Sequence, residues 1–359
     1  MKEKRKKNVT IQDVALEAGV STATVSRALN MPEVVDVSSQ QKVQEAVKKL
    51  HYKVKQPLRS SLTKRITLIL PSASNAFFSQ MLEGVLTASS KQGYQVIVYS
   101  CHGSPTKELE LLQVASQADI DALLFCPLTD ATAKAVTKLF APDFPLVILY
   151  RRNFLAAGVA HIYYNNVQGG YLATKLLLKQ GHRNIAFFIG LWQDCATTNI
   201  EILSLLDDPR RGSYSSLDRL YGYVKALSEF GLELDPSLIT TTRYDFASGY
   251  EKAKLFLSTL RDFDSVICGN DTVAAGVLQA LREQNIQVPE QVSLVGYDDS
   301  TLASITRPEL TSVHQDPEDL GEKSVVMLSS LFAGERVEDK VLDTFLTIRN
   351  STAMRQGSS

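Results

Sequence analysis

Short polar side chains and one guanidinium are concentrated between Ser21 and Arg27, directly after a glycine turn. Hydroxyl groups, a methyl group and a multidentate guanidinium donor are the groups that contact base edges in the major groove of DNA. The candidate base-reading residues are Ser21, Thr22, Ala23, Thr24, Ser26 and Arg27. The segment therefore predicts DNA recognition, and the alternative is a helical hairpin that belongs to an ordinary core.

Two short helices around a tight turn would present this segment. Thr10 stands where an N-cap is expected, Asp13 lies in the first turn, and Gly19 supplies the left-handed conformation that ends a helix. Ser21 is placed to cap the second helix. The apolar positions at helical spacing are Ile11, Val14, Ala15 and Ala18 in the first helix and Val25, Ala28 and Leu29 in the second. This pattern is typical of a helix-turn-helix.

The distribution of charge separates the N-terminal segment from the rest of the chain. Through Arg65 the sequence has 14 Lys and Arg against 6 Asp and Glu, a net charge of +8. The remainder has 24 against 33, a net charge of −9. A basic segment joined to an acidic body indicates an attraction to phosphate that is confined to one domain.

A third helix is expected to complete the N-terminal domain, because two short helices alone bury too little apolar surface. Ser38 is predicted to open this helix, with Gln41 at the capping-box position. The next segment, KVKQPLRSSLTKR at 53–65, is basic and polar and has no strand pattern. Pro57 suits the first turn of a short helix there, and a flexible linker is the alternative.

The stretch TIQDVALEAGVSTATVSRALN, at 10–30, resembles without gaps the DNA-binding head of the lactose-repressor (LacI/GalR) family of bacterial regulators. The resemblance implies a helix-turn-helix head at 1–52 and a hinge at 53–65 whose leucine enters the minor groove. The hinge is a few residues shorter than the family pattern, so Leu58 and Leu62 both stay open as that leucine. The DNA-binding residues expected on this basis are Thr10, Ser21, Thr22, Ala23, Thr24, Ser26, Arg27, Leu58, Arg59 and Leu62.

From Ile66 onward, apolar strand-like runs alternate with amphipathic helical segments, two of which are predicted at 169–179 and 220–230. The strand-like runs are ITLILP, QVIVYS, ALLFCP, LVILY and HIYY in a first series and IAFFIG, SLITT, SVICGN and SLVGY in a second. Apolar strands separated by helices predict parallel sheets that are covered on both faces. Two series predict two doubly wound α/β subdomains with a ligand-binding cleft between the carboxyl ends of their strands.

The body also resembles the same family, whose core is similar to that of periplasmic sugar-binding proteins. The landmarks that carry the resemblance are SNAFFSQMLEGV, NNVQGGYLAT, GHRNIAFFIG, RLYGYVKAL, GNDTVAAGVLQALRE, VPEQVSLVGYDD and RPELTSVHQ. They imply a periplasmic-binding-protein-like core at 66–359. The N-terminal subdomain is expected at about 66–163 and 316–333, and the C-terminal subdomain at about 164–315 and 334–352.

Side chains that follow strands or open helices are the candidates for binding a small-molecule effector. The amide of Asn75 and the rings of Phe77 and Phe78 could bind and stack on a sugar, although Phe78 also suits the core. Arg151 could donate several hydrogen bonds to ring hydroxyls or to an acid group. A carboxylate such as Asp298 can accept two hydroxyls of one sugar.

The second series of strands supplies further candidates. Arg219 matches the effector-binding arginine of the resembled family, and the alternative is a solvated helix arginine. Asn270 and Asp271 follow the run SVICG, where Asp271 could instead cap its own helix. Trp192, the only tryptophan, could stack on the apolar face of a ligand or merely pack the unusually long segment at 191–218.

Two positions depart from the family pattern. The family often has an aspartate before the position of Arg151, where this chain has Tyr150. It often has another aspartate at the candidate effector residue Asn165, where Asn165 and Asn166 are both amides. The pocket is therefore expected to be less acidic than is usual in the family.

The sequence predicts no cofactor, metal or catalytic site. The four cysteines are scattered and form no CxxC, which predicts buried free thiols rather than a zinc site. Because no Ser-His-Asp order, HExxH or P-loop pattern is present, an enzyme is not expected. The chain also lacks a run of about 20 apolar residues and the apolar region of a signal peptide, so a cytoplasmic, nucleoid-associated bacterial protein is expected.

The function expected from these features is that of a homodimeric repressor of carbohydrate-related genes. Its heads would read a palindromic operator in double-stranded DNA, and a sugar or sugar phosphate between the subdomains would control them. One alternative is a ligand-binding receptor of the periplasmic type without operator function. The other is a regulator that is controlled mainly by a protein co-regulator.

Overall fold

The structure, a computed structural model, describes residues 10–30, 35–50, 52, 64–152, 159–192, 199–206, 214–259 and 262–355. The chain divides into two units, Met1–Leu62 and Thr63–Ser359. The helices of the first unit are α1 (Ile11–Ala18), α2 (Thr22–Asn30) and α3 (Val37–Lys49). Among the described residues, no helix is both long enough and apolar enough to cross a membrane.

The first two helices form a helix-turn-helix, as the sequence predicts. Thr10 caps α1 in a reciprocal capping box with Asp13, and Gly19 ends this helix at a φ of 65°. Ser21 Oγ accepts the backbone N–H of Thr24 at 3.0 Å and so caps α2. The buried residues that hold the three helices together are Val14, Ala15, Ala18, Val25, Val43 and Ala46.

The third helix begins one residue before the predicted N-cap. Its first residue is Val37 and its N-cap is Asp36, whose carboxylate accepts the N–H of Ser39 at 2.9 Å. The prediction of Ser38 as N-cap, with Gln41 in a capping box, is wrong. A carboxylate caps as well as a hydroxyl and also interacts favourably with the helix dipole. The hydrogen bond from Ser39 lowers the pKa of Asp36.

The second unit alternates strands and helices. Its strands are β1 (Arg65–Leu70), β2 (Gln95–Ser100), β3 (Ala122–Phe125), β4 (Leu146–Leu149), β5 (Ala160–Tyr164), β6 (Ile185–Gly190), β7 (Ile239–Thr242), β8 (Ser265–Cys268), β9 (Ser293–Asp298), β10 (Thr311–His314), β11 (Lys340–Leu342) and β12 (Phe345–Thr347). Its helices are α4 (Ala76–Lys91), α5 (Pro105–Gln117), α6 (Asp130–Leu139), α7 (Asn166–Lys179), α8 (Asn199–Ser204), α9 (Ser215–Glu229), α10 (Phe246–Ser258), α11 (Asp271–Glu283), α12 (Thr301–Ile305) and α13 (Pro317–Phe332).

Within the described residues the strands form two six-stranded sheets. The first has the order β11-β5-β4-β3-β1-β2, and every pair in it is parallel. The second has the order β12-β10-β9-β8-β6-β7, with β12 antiparallel to β10 and the other pairs parallel. Buried apolar clusters contact both faces of each sheet. The predicted architecture of two doubly wound α/β sheets is confirmed.

Three described segments of the chain connect the two sheets: β5 to α7, β10 to α13 and β11 to β12. The first and third of these segments are joined where the Asn165 N–H donates to the Leu342 carbonyl at 2.9 Å and Thr344 Oγ1 donates to the Asn165 carbonyl at 3.4 Å. The expectation that 334–352 lies wholly in the C-terminal subdomain is wrong for Lys340–Leu342, which pairs with β5. The reason is that α13 packs on the first sheet and delivers the chain to its edge.

Two helices of the C-terminal subdomain begin earlier than predicted. α7 starts at Asn166 rather than Gly169, with Asn165 as its N-cap, and α9 starts at Ser215 rather than Leu220. In both cases a polar stretch that is typical of a loop forms the first helical turn. The polar residues that open α9 are buried inside the fold, where Ser216 forms a hydrogen bond with Tyr244.

The helices α7 and α9 pack closely at two glycines. A Cβ atom at Gly170 would collide with the backbone of Arg219, and a Cβ atom at Gly222 would collide with the backbone of Val167. Only glycine permits backbones to approach this closely. The glycine pair therefore fixes the position of Arg219 relative to α7.

Candidate functional site

The carboxyl ends of strands from both sheets meet around one cavity. Its lining consists of Asn75, Phe77, Phe78, Tyr150, Trp192, Tyr244, Asn270 and Asp298. Tyr150 directly follows β4 of the first sheet, whereas Asp298 ends β9 of the second. This is the edge at which doubly wound sheets bind ligands, and it is where the sequence predicts the cleft.

Arg219 lies at the back of this cavity and is only 1% exposed. Its Nε donates to Asn166 Oδ1 at 2.9 Å, and its Nη1 donates to the Gly269 carbonyl at 2.5 Å. Its Nη2 donates to the Tyr150 phenol oxygen at 3.1 Å. The guanidinium also lies 3.6 Å from the centroid of the Tyr297 ring. These contacts compensate the burial of a full positive charge.

Asp298 supplies the opposite charge beside this guanidinium. Its Oδ1 lies 3.8 Å from Arg219 Nη2. Burial raises the pKa of the Asp298 carboxyl to about 6, although the charge of Arg219 lowers it. A carboxylate next to a guanidinium offers acceptors and donors to neighbouring hydroxyl groups of one ligand.

Aromatic rings from both sheets fill most of the cavity. The Tyr150 ring centroid lies 4.8 Å from that of Phe77 and 5.4 Å from that of Phe78. Trp192 from the second sheet packs 5.1 Å from Tyr244 and 6.5 Å from Phe78. The free space between the rings is about 10 Å³, enough for roughly one water molecule. As far as the described residues line it, the cleft is closed, with aromatic faces on both of its sides.

Two lining residues have a backbone conformation that is uncommon for their type. Tyr150 has a φ of 69° and Asp298 a φ of 91°. A positive φ is a genuine outlier for a bulky residue and persists only where the surroundings enforce it. Both residues stand at strand ends on opposite sides of the cavity. The fold therefore holds them against Arg219 at a conformational cost.

The structure brings together most of the predicted effector residues. Those that line the cavity are Asn75, Phe77, Phe78, Trp192, Asn270 and Asp298, and Arg219 touches the lining. Two of them also cap helices: Asn75 Oδ1 accepts the Phe77 N–H at 3.1 Å, and Asn270 Oδ1 accepts the Val273 N–H at 2.8 Å. The side-chain NH2 group of Asn270 donates to the Tyr244 carbonyl at 3.5 Å.

Arg151 does not line the cavity in this structure, in contrast to the sequence prediction. Its Nη1 donates to the Leu128 carbonyl at 2.5 Å, and its guanidinium lies 5.2 Å from the Tyr214 ring centroid. The Leu128 N–H in turn donates to Glu108 at 3.0 Å, and burial raises the pKa of that carboxyl to about 7. The guanidinium that the sequence predicts to contact an effector is thus bound to the loop after β3.

Asp271 is likewise absent from the cavity lining. Its Oδ1 accepts the Ser312 hydroxyl at 2.6 Å, and its Oδ2 accepts the Ser300 N–H at 2.6 Å. Burial raises the pKa of this carboxyl to about 7, and the charge of Asp298 raises it further. Both carboxylate oxygens therefore join β10 to the loop after β9. Asn165 also lies outside the lining and caps α7 at the connection between the sheets.

Four residues of the site are absent from the predicted effector residues: Tyr150, Tyr244, Asn166 and Tyr297. Tyr244 lines the cavity two residues after β7, and the rule that selects strand ends could have found it. Asn166 is 3% exposed, and its Oδ1 accepts from Arg219, Tyr297 at 3.3 Å and Gln315 at 3.4 Å. No local signal marks Asn166 or Tyr297, because their role depends on a contact with a distant arginine.

The candidate DNA-binding surface lies on the head. On α2, Thr22, Ala23 and Arg27 are exposed, and the buried Val25 anchors the opposite face. The partly buried or capping residues of this surface are Ser21, Thr24 and Ser26. Thr10 is exposed, and its hydroxyl donates to Asp13 Oδ2 at 2.7 Å. The hinge candidates Leu58, Arg59 and Leu62 lie outside the described residues.

The cysteines carry no site in the described part of the chain. Cys101, Cys126 and Cys268 are buried free thiols, as predicted, and burial raises the pKa of each. Cys195 lies outside the described residues. Within those residues, no group of three or more His, Cys, Asp or Glu side chains could hold a metal ion.

A helix-turn-helix head joined to a two-sheet core with a buried charged cleft defines the DNA-binding regulators that have a periplasmic-binding-protein-like core. Residues 10–54 match the family described as "Bacterial regulatory proteins, lacI family", and residues 174–352 match the "Periplasmic binding protein-like domain". The chain belongs to the lacI family of bacterial regulatory proteins and is a DNA-binding transcriptional regulator.

Curated relatives match the chain over nearly its whole length. It is 34% identical over 351 residues to the HTH-type transcriptional regulator RegA of Clostridium saccharobutylicum. The match covers 96% of this chain and 99% of that protein. It is 31% identical over 323 residues to the ribose operon repressor of Escherichia coli strain K12, with 89% and 92% covered. These relatives are transcriptional regulators rather than enzymes.

Solved structures share the fold. The transcriptional regulator CelR in complex with cellobiose is 26% identical, with a TM-score of 0.69, and the match covers 96% of this chain and 100% of that chain. The lac repressor dimer bound to operator and the anti-inducer ONPF is 24% identical, with a TM-score of 0.69. This match covers 97% of this chain and 100% of that chain. The second likeness concerns the fold alone.

Proposed function

We propose that the chain represses carbohydrate-related genes as a homodimer that binds a palindromic operator. The residues assigned to base and phosphate contacts are Thr10, Ser21, Thr22, Ala23, Thr24, Ser26 and Arg27 in the head and Arg59 with Leu58 or Leu62 in the hinge. The proposal is supported by the exposure of Thr22, Ala23 and Arg27 on α2. A two-fold dimer requires two-fold-related half-sites.

The effector in this proposal is a sugar or sugar derivative that binds between the two sheets. The single observation that carries it is the contact of the buried Arg219 with Tyr150 from one sheet and Asp298 from the other. In a ligand-bound cleft, Asp298 accepts hydroxyl groups and Arg219 donates to ring oxygens or an acid group. The aromatic faces of Phe77 and Trp192 contact the apolar face of the sugar.

A direct hydrogen-bond path supports coupling of this cleft to the connections between the sheets. Arg219 Nε donates to Asn166 Oδ1, which also accepts Gln315 Nε2 at 3.4 Å. Asn166 opens α7 directly after one connecting segment, and Gln315 lies within another. A ligand that displaces Arg219 thus changes the position of one subdomain relative to the other. If the ligand binds one of these two positions more tightly, it shifts the equilibrium between them and so controls the hinge and the head.

The chain would act in the bacterial cytoplasm at the nucleoid, with a head at 1–52 and a hinge at 53–65. The test of DNA binding uses the full chain and labelled fragments of the region upstream of its own gene in a mobility-shift titration. We expect one fragment to bind in preference to the others, with an affinity that falls steeply as salt rises. Equal binding to all fragments, or none, would overturn operator recognition.

The test of the cleft measures the melting temperature of the full chain with D-ribose, D-glucose, cellobiose and a sugar phosphate. A ligand that binds only the folded state raises the melting temperature in proportion to its concentration over Kd. We expect a rise with at least one sugar, and we expect Asp298→Ala to abolish it. The matched control is Asp143→Ala, which removes an exposed carboxylate before the amino end of β4 and outside the described lining. A rise that persists in Asp298→Ala would exclude this cleft.

A further inference from the structure

Tyr150 makes the only hydrogen bond from the first sheet to Arg219 among the contacts of the described residues. The other two hydrogen-bond acceptors, Asn166 and the Gly269 carbonyl, lie on elements of the second sheet, as does the counter-charge Asp298. The 3.1 Å bond from Arg219 Nη2 to the Tyr150 oxygen therefore crosses the cleft. Its formation requires that the two halves of the core are close together.

The ring of Tyr150 supports the same closed arrangement. It is 7% exposed and packs at 4.8 Å from Phe77 and 5.4 Å from Phe78 by ring centroids. Its backbone has a φ of 69°, which a tyrosine adopts only under constraint from its neighbours. The surroundings thus position the phenol oxygen at Arg219 against a local backbone preference.

The phenol lies where a ligand would interact with the guanidinium. About 10 Å³ of free space is left between Tyr150, Trp192, Tyr244 and their neighbours, which is far below the few hundred Å³ of an ordinary small-molecule pocket. Hydroxyl oxygens are the groups that a sugar would present to this guanidinium. The chain therefore places a hydroxyl group of its own where a sugar hydroxyl would bind Arg219.

We propose that Tyr150 is an internal competitor of the effector. Its phenol accepts a hydrogen bond from Arg219 and holds the cleft in the closed arrangement, and an effector must displace it to reach the guanidinium. The residue thereby sets both the affinity and the strictness of effector selection. This inference rests on the proposed effector cleft and names the residue that regulates access to it.

The chain contains a reporter for this contact. Trp192 is its only tryptophan, and it reaches from the end of β6 across to the first sheet. There it contacts Phe78, and a Cβ at Gly103 would lie 2.9 Å from its ring. If the two halves separate, the indole loses these contacts and becomes accessible to water and to a soluble quencher.

The first experiment compares Tyr150→Phe with wild type in the full chain without ligand, by the emission maximum of Trp192 and its quenching by acrylamide. The substitution removes one oxygen and keeps the ring, so the variant is expected to fold. Circular dichroism checks this. We expect a red-shifted emission and a quenching constant raised about twofold or more, because loss of a hydrogen bond to a charged group favours opening. Emission and quenching equal to those of wild type would overturn the proposal.

The matched control is Tyr223→Phe. The phenol of Tyr223 donates to the Ile185 carbonyl at 2.9 Å and is 1% exposed, but both residues belong to the second sheet and its helices. This variant also loses one buried phenol hydrogen bond, but the lost bond does not cross the cleft. We expect wild-type quenching of Trp192. If both variants raise quenching equally, loss of stability rather than a cross-cleft contact is the cause, and the proposal fails.

The second experiment titrates wild type and Tyr150→Phe with D-ribose and with cellobiose by calorimetry. Removal of the competitor is expected to tighten binding about tenfold, since hydrogen bonds to charged groups are of that strength. Equal or weaker binding in the variant would overturn the competition. If quenching rises but neither sugar binds either protein, the cross-cleft contact stands, whereas the sugar effector and the competition with it are overturned. Tighter or equal binding in the variant thus decides the competition, and the absence of binding decides the effector.

Discussion

The DNA-binding surface and the effector cleft use polar groups in opposite ways. On α2 of the head, Thr22 and Arg27 are exposed, and their surroundings are solvent. In the cleft, Arg219 is 1% exposed and already has partners on several elements. A change on α2 should therefore act locally, whereas a change in the cleft leaves several buried groups without partners. The predictions below test this contrast.

The largest effect is expected for Arg219→Met. The change leaves the acceptors of Asn166, Gly269 and Tyr150 buried without their donor, and it leaves Asp298 without its counter-charge. We expect the free energy of unfolding to fall by about 3–5 kcal/mol, the usual result of breaking a buried charge interaction. Urea unfolding of the full chain, followed by the fluorescence of Trp192, measures this loss.

The control for this prediction is Arg27→Met in the head. Because Arg27 is exposed, we expect its replacement to change the free energy of unfolding by less than about 0.5 kcal/mol. The contrast between the two regions would be contradicted if both arginines contributed equally to stability.

The next effect concerns the close approach of α7 and α9. In Gly170→Ala the added methyl group collides with the backbone carbonyl of Arg219, so α9 must shift. We expect a loss of about 1–3 kcal/mol in the free energy of unfolding, the usual cost of overpacking. Sugar binding should weaken as well, since the shift moves the guanidinium. Stability and sugar affinity equal to those of wild type would mean that the helices can separate without moving the site.

The third effect concerns base recognition by α2. Arg27→Ala should cost about 1–3 kcal/mol of operator affinity and relax the preference at one position of each half-site. Competition titrations with operators that carry single base-pair changes measure the preference. The control Lys42→Ala removes an equal charge from an exposed position of α3 and should leave the preference intact. A uniform loss on all sequences would make Arg27 a phosphate contact.

The smallest effect is a dependence of sugar binding on pH. The pKa of Asp298 is raised to about 6 by burial, so its carboxyl is neutral below this pH and ionised above it. Because the ionised form accepts more hydroxyl groups, sugar affinity should rise severalfold as pH increases through about 6. Calorimetric titrations on both sides of this value test the rise, and Asp298→Asn should remove it. An affinity that falls with increasing pH would contradict the assignment.

The contrast also explains what the sequence could predict. The head is contiguous, so Thr10, Gly19 and Ser21 mark its helix ends through local rules of capping and turns. Even there the N-cap of α3 lies two residues before the predicted one, because Asp36 and Ser38 are both acceptable caps. The two sheets follow from the alternation of strands and helices, whereas the pairing of β11 with β5 depends on where α13 delivers the chain.

The cleft is predictable only in part, for a physical reason. The rule of strand ends brings Asn75, Trp192 and Asp298 to one cavity, because all parallel strands end at one edge of their sheet. They also select Arg151, yet a buried loop carbonyl takes its guanidinium. Which polar group meets a ligand depends on competition among neighbours distant in sequence, and no local pattern records it. Asn166 illustrates this, since three distant residues converge on its one oxygen.

The central claim is that a molecule bound in the cleft changes how the head binds DNA. The most direct measurement is the operator affinity of the full chain with and without the sugar that binds it, for wild type and for Asp298→Ala. We expect the sugar to change the wild-type affinity by about tenfold or more, within the usual range of allosteric coupling, and to leave that of Asp298→Ala unchanged. An operator affinity that the bound sugar leaves unchanged in wild type would contradict the account.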